Sequence, residues 1–352
     1  MKALCDISAL RYHRIPPHIH ELLDERLDVA LGPRQKSLRP AAELLGLPGK
    51  PLHVLQTNRA ACAKTSNQYT HLISHELPFG SIQEFGSYTA VASPALTLFT
   101  LAARLNLIDL IMLAHEFCGT FSVYVPTSDE RTYLQECIDR KVLAPLDGWK
   151  PVLDQAGKLT NLWKRPPLVT SEELHAFANH MKAVKGCRAF AEALRYVNEG
   201  AASPFEVQTG MRISLPRRMG GEGVDGLTFN YPVRLSRDAQ RISEQSMAYI
   251  DVLVRNADGT RQAGIECQSA LVHDNTQRGI ADGNRITALQ SMGYTMLQLS
   301  YDNLVNQGNF ASFMAYLQRV LEVQPAPKTK RMKQRESELC ARLFVDWNTI
   351  GV

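Results

Sequence analysis

Two runs in the second half of the chain, AYIDVLVR (248–255) and RQAGIECQS (261–269), carry apolar residues at alternate positions, the pattern of strands with one face against a core. NADGTR lies between them. Further elements surround the pair. SPFEVQTGMRISLP (203–216) opens as a helix, with Ser203 as N-cap, Pro204 at the first position and Glu206 completing a capping box. LTFNYPVRL (227–235) reads as a strand interrupted by Pro232, and NTQRGIADGNRITALQSMG (275–293) as a helix ending at Gly293. YTMLQLS (294–300) reads as a strand and NFASFMAYLQRVLEV (309–323) as a closing helix. The order α-β-β-β-α-β-α points to an α/β sandwich around a mixed sheet.

Residues 1 to about 165 alternate apolar runs with turns and predict a smaller mixed α/β domain. PLHVLQT (51–57) is a strand, and QEFGSYTAVASP (83–94) a strand and turn. SPALTLFTLAARLNLIDLIMLAHEF (93–117) reads as one or two buried helices rather than a membrane span, because Arg104, Asn106, Asp109 and His115 interrupt it. Paired prolines in KRPPLV (164–169) mark a boundary. Residues 170–200 follow as one or two helices, capped at Thr170 or Ser171 and interrupted at Gly186. The expected division is therefore a mixed α/β domain at 1–165, a second α/β domain at 170–325 and a basic helix or tail at 326–352. The first half offers no nucleotide loop, no metal-ligand spacing and no nucleophile elbow.

The 249–274 stretch raises a chemical question, because Asp251 and Glu266 each sit inside an apolar strand. Asp-Gly is a preferred pair for a two-residue type I′ turn. With Asp258-Gly259 as that loop, Ala257 faces Thr260 and Asp251 falls opposite Glu266, their Cβ atoms about 4.5–5.5 Å apart. Tyr249 then faces Gln268 on the same side, while Ile250–Cys267, Val252–Ile265 and Val254–Ala263 form an apolar face. Like charges directly opposed destabilise a sheet. A divalent cation between them removes the repulsion, and hard oxygen donors favour Mg2+ or Mn2+ over zinc. The plainer reading is a pair of exposed carboxylates on the wet face of an antiparallel sheet.

Bulk composition narrows the setting. The chain has 352 residues, 45% hydrophobic and 21% charged, as in ordinary globular proteins, and a formal net charge of +4 permits a nucleic-acid partner without demanding one. Seven scattered cysteines without a CxxC argue for reduced thiols, hence a cytoplasmic setting, and against a zinc knuckle. The proline-broken start is not a signal peptide. KTKRMKQRESELCARLF (328–344) clusters Lys328, Lys330, Arg331, Lys333 and Arg335, either a solvated helix face or a phosphate contact.

SPFE at 203–206, YID at 249–251, IECQ at 265–268 and DGNRITALQSMGYTMLQLSYDNL at 282–304 occur in an order that resembles the PD-(D/E)xK nuclease superfamily. The closer likeness is to the very-short-patch-repair-like endonuclease domain at the C-terminus of many bacterial proteins. The resemblance covers about 200–322 and implies an αβββαβ core, a mixed sheet flanked by helices, that hydrolyses DNA phosphodiesters with magnesium or manganese. It implies that Asp251 and Glu266 bind the metal, that Gln268 stands where the family often has lysine, and that Glu206 adds an outer ligand, although a capping role also accounts for Glu206. Asp282 and Arg285 suit a helix salt bridge better than a phosphate contact; His273, beside Asp274, is a base, a phosphate donor or merely exposed. Gln268 cannot supply a positive charge, and no lysine occurs between 186 and 327 to replace it. The alternative to an endonuclease is therefore a non-catalytic, antitoxin-like DNA-binding regulator that keeps a nuclease fold. ALRYHRIP (9–16) and the 88–119 run loosely resemble the C-terminal module of abortive-infection type IV antitoxins, which implies a DNA-binding or regulatory role and a protein partner for the first domain.

Overall fold

The computed structural model describes residues 2–35, 37–59, 62, 65–268 and 276–351. The chain divides into two compact units, one of Met1–Val152, Leu159–Val197 and Asp346–Val352, the other of Leu153–Lys158 and Asn198–Val345.

Along the first 197 residues run β1 (Lys2–Leu4), α1 (Asp6–Arg14), α2 (Pro17–Leu31), α3 (Arg39–Leu44), β2 (Leu52–Gln56), β3 (Gln68–Leu72), β4 (Ile82–Glu84) and β5 (Thr89–Ala92). They are followed by α4 (Pro94–Ala102), α5 (Leu107–Cys118), β6 (Phe121–Val123), α6 (Ser128–Asp139), β7 (Lys150–Leu153), β8 (Leu159–Lys164), α7 (Ser171–His180) and α8 (Cys187–Leu194). Five strands form a mixed sheet in the order β3-β2-β1-β5-β4, and three more the order β6-β8-β7. The apolar run at 93–117 is two buried helices, α4 and α5, because Asn106 caps a new helix by accepting the Asp109 N–H at 3.0 Å. No helix among the described residues is long and apolar enough to cross a membrane. Thr170 caps α7 with a full capping box, and Gly186, at φ 99°, separates α7 from α8. Both helices pack on α4 within this unit.

The second unit contains α9 (Pro204–Ser214), β9 (Leu227–Arg234), α10 (Arg237–Ser243), β10 (Met247–Arg255), β11 (Gln262–Gln268), α11 (Thr276–Ser291), β12 (Met296–Ser300), α12 (Tyr301–Val305), α13 (Gln307–Val320) and α14 (Lys330–Leu343). Its sheet order is β12-β11-β10-β9. β9, β10 and β11 form an antiparallel meander and β12 lies parallel to β11. Pro232 is tolerated because β9 is an edge strand. α9 packs on β9, β10 and β11, and Gly210 permits the approach: a Cβ there would lie 2.3 Å from Phe229 Cζ. A core on the sheet joins Val233, Ala248, Ile250 and Leu253 to Ala239 of α10 and to Ala288 and Leu289 of α11. In the basic tail, Lys328 bonds Glu222 at 2.6 Å and Glu336 at 2.8 Å, and Arg335 bonds Glu338 at 2.6 Å, while Lys330, Arg331 and Lys333 are exposed. The pairing of Lys328 and Arg335 accounts for part of the basic cluster as a helix face held by its own carboxylates.

The turn of the β10–β11 hairpin differs from expectation. Its loop has four residues, 257–260, closed by the Asn256 N–H to Arg261 O bond at 3.0 Å, and of Asp258 and Gly259 only Gly259 has positive φ, at 70°. A type I′ turn needs both residues in that region. Lengthening the loop by one residue on each side leaves the strand register where the sequence placed it, with Val252 opposite Ile265 and Val254 opposite Ala263.

Candidate carboxylate site

The site is built where that register gives out. β10–β11 pairing runs from Arg255–Gln262 to Val252–Ile265, one step short of Asp251 and Glu266. On the other side, β9–β10 pairing skips Asn230 and Asp251 and resumes at Tyr231–Ile250. Asn230 has φ 45°, a left-handed conformation that asparagine adopts more readily than most residues. Instead of a ladder bond, the Asp251 Oδ2 atom accepts the Cys267 N–H at 2.8 Å.

This irregularity shifts the alternation of β10 by one. A Cβ on Gly264 would lie 2.9 Å from Ile250 Cγ2, and Gly264 is the partner of Leu253, so Ile250 and Leu253 share a side. The expected Ile250–Cys267 pairing on the opposite side is thereby corrected. Cys267 instead meets α9, its Sγ lying 3.7 Å from Thr209 Oγ1. By alternation from Ile250, Asp251 turns to the α9 side. Glu266 lies on the α11 side, against Arg285. The two carboxylates flank the parting strands rather than standing side by side on one face.

They are not exposed either, which overturns the wet-face reading: Glu266 is 4% accessible and Glu206 6%, and Asp251 is half-buried. Glu206 is held by the start of α9. Its amide donates to Ser203 Oγ at 3.2 Å, and Ser203 Oγ donates to Oε1 at 3.0 Å. Oε2 accepts from Ala202 N at 2.8 Å and from Asn230 Nδ2 at 2.6 Å. Only the Ser203 half of the expected capping box forms, since the Glu206 carboxylate takes the N–H of Ala202 rather than that of Ser203. Burial first, then the charge of Asp251, push Glu206 up to about 8, and the same two causes push Glu266 up to about 8 against the opposing pull of Arg285. Burial and the same carboxylates also raise the Cys267 thiol, so it is no thiolate nucleophile.

Arg285 carries the cation of the site. Its Nη2 lies 2.8 Å from Glu266 Oε2, its Nη1 donates to Tyr249 O at 2.7 Å, and Asp282, the expected helix partner, is farther at 3.6 Å. Gln268 ends β11 half-buried, opposite Ser300. His273 and Asp274 lie outside the described residues. Two contributors were not anticipated. Asn230 had a signal, a polar residue inside a strand run two positions before Pro232, and the Arg285–Glu266 pair had none beyond charge type.

Acceptor oxygens with excess negative charge are the donor set a hard dication takes. Among the described residues, Glu206, Asp251 and Glu266 do not bring one oxygen each within 4.8 Å of the others, whereas Asp6, His53 and His71 of the first unit do meet that distance. Comparisons with protein-family models, with curated proteins and with solved structures give no match.

Proposed function

We propose that the second unit is a metal-dependent DNA endonuclease of the PD-(D/E)xK kind that its motifs resemble. The observation that carries this reading is the placing of Glu206, Asp251 and Glu266 around the point where β10 and β11 part, Glu206 and Glu266 each raised by burial and by the charge of Asp251, in a unit whose elements run α9-β9-α10-β10-β11-α11-β12. Asp251 and Glu266 would hold Mg2+ or Mn2+, the ion supplying water activation and charge stabilisation on the transferring phosphoryl group. Arg285 brings the permanent cation that Gln268 cannot, with a planar fork suited to phosphate oxygens; it orients, but does not take a proton. Gln268 can hydrogen-bond the substrate or its water. Glu206, titrating near neutrality, can hold a proton on Oε1, since Oε2 already accepts two N–H groups.

One observation favours a second reading, a non-catalytic DNA-binding regulator: Arg285 already neutralises Glu266. Incubation of the full chain with plasmid and mismatched DNA in Mg2+ or Mn2+ separates the two. The endonuclease reading expects nicking that Asp251→Ala and Glu266→Ala abolish. The regulator reading expects EDTA-insensitive, salt-sensitive gel shifts and no nicking.

A further inference from the structure

The first unit gathers a different donor set, from three places far apart in sequence. Asp6 opens α1, His53 lies on β2 and His71 on β3. β2 and β3 are parallel, with His53 beside Tyr69 and Leu55 beside His71, so the two imidazoles sit two residues apart on one side of the sheet. Their facing nitrogens, His53 Nδ1 and His71 Nε2, are 3.0 Å apart. His53 Nδ1 is 3.3 Å from Asp6 Oδ1, and His71 Nε2 is 3.8 Å from Asp6 Oδ2. A tetrahedral ion with bonds of about 2.0–2.1 Å separates its ligands by about 3.3–3.4 Å. The three observed separations bracket that edge.

We propose that Asp6, His53 and His71 form a binding site for Zn2+ or a similar borderline dication, with water completing the shell. Imidazole and carboxylate donors suit zinc, and three protein ligands with an open position are the pattern of a zinc site that admits a further ligand. The surroundings hold the ligands in place. The His53 N–H donates to Ser8 Oγ at 2.9 Å, the Cys5 N–H to His53 O at 3.1 Å, and the Asp6 N–H to Thr100 Oγ1 at 3.0 Å. Asp6 itself has φ 50°, a conformation that an aspartate keeps only where its neighbours enforce it. Arg104 Nη2 and the Ile7 N–H both donate to Asp6 Oδ1 at 2.6 Å, and Arg104 Nε reaches Oδ2 only at 3.5 Å, so Oδ2, the oxygen facing His71, is the less engaged of the two and the one offered to the ion. This outer support orients a ligand in the way metal sites require. Tyr69 walls the site, its ring centroid 5.1 Å from that of His53 and 4.9 Å from that of His71. The side chains of His53 and His71 are 11% and 13% exposed, which gives water an approach. A metal-free Asp–Arg–His network is the competing account, with a proton between the imidazoles in place of an ion.

The test uses the full-length chain stripped with EDTA and titrated with Co2+, whose tetrahedral complexes absorb in the visible and are displaced by Zn2+. Expected are one Co2+ per chain with a visible band, its loss on Zn2+ addition, and retention of one Zn2+ after gel filtration. His71→Gln should weaken binding at least 100-fold with an unchanged far-UV spectrum; His53→Gln serves as the second variant if the first does not fold. Asp251→Ala, in the other unit, should leave the band intact. Absence of any visible band, or a band lost in Asp251→Ala and kept in His71→Gln, overturns the assignment. DNA cleavage does not enter the readout, so failure here is separate from failure of the nuclease reading.

Discussion

Glu206→Gln changes one buried charge and almost no volume, so it isolates the electrostatic strain in the carboxylate site. The wild-type side chain has its carboxyl raised from the ordinary 4.5 to about 8 by burial and by Asp251. A group that holds its proton more tightly folded than unfolded makes stability fall as pH rises between those two values. The full span corresponds to about 5 kcal/mol. Relaxation and water penetration around a buried charge reduce the realised penalty, so about 2–3 kcal/mol should return in the variant. At pH 5 the change is different: glutamine keeps one acceptor for Ala202 N and Asn230 Nδ2 but must reorganise the Ser203 contact, at a cost of about 1 kcal/mol. The variant should therefore be slightly less stable than wild type at pH 5 and more stable at pH 9. All three tryptophans, Trp149, Trp163 and Trp347, belong to the first unit, so fluorescence reports the wrong place. Hydrogen exchange of peptides spanning 203–235, in metal-free buffer at several pH values, reports the second unit. Equal pH slopes for the two proteins would refute the argument.

Arg285→Gln should destabilise the second unit increasingly as pH rises from 6 to 9, by up to about 2–3 kcal/mol, because the ion pair acts only on ionised Glu266; a pH-independent difference in denaturant midpoint would count against it. Mn2+ affinity, measured by calorimetry, should rise with pH up to about 8, about tenfold per unit for each proton displaced from Glu206 or Glu266, and flatten above; a flat profile through pH 6–8 would remove these carboxylates from the ligand set. Gly210→Ala should cost about 1–3 kcal/mol by driving a methyl into Phe229, and more than Gly264→Ala, whose nearest obstacle is the flexible Met296 thioether at 2.6 Å; thermal melts that rank them the other way would show that α9 does not rest on Phe229.

Regular hydrogen-bonded segments were legible because their signals are local. Ser203-Pro204, the cap expected at Thr170 or Ser171, and the alternation in 248–255 each announce an element that the structure contains. The hairpin register was legible even with the wrong turn, since symmetric lengthening of the loop preserves the pairing. The slip of alternation at Asp251 was not, because it depends on a left-handed Asn230 in the neighbouring strand. The helices of 6–44 escaped for a different reason. α1 buries Asp6, His13 and Arg14, each bonded to a partner distant in sequence, so its polar residues read as surface. Arg14 finds Glu116 through bonds of 2.9 and 2.6 Å, and Glu116 is itself held by Trp347 Nε1 at 2.7 Å. Asp6, His53 and His71 belong to the same class of feature: no spacing announces them, and only the five-stranded sheet brings them together.

The charges in the second unit leave two ways to settle one imbalance. Glu206, Asp251 and Glu266 ionised together would place three negative charges around one parted strand pair, with Arg285 supplying a single compensating positive charge. Retaining protons on the two buried glutamates relieves the excess; so would a bound dication, which displaces those protons. The two solutions compete for the same oxygens, and the pH at which one replaces the other lies near neutrality because burial and mutual repulsion have raised the glutamates that far. A site built only for rigidity gains nothing from holding glutamates at that point, whereas apolar residues of similar volume would serve stability as well or better. That argument favours a cation-dependent role for the site, and under the proposed nuclease reading it makes Arg285 the residue to watch: cutting would require it to release Glu266 when metal and phosphate arrive.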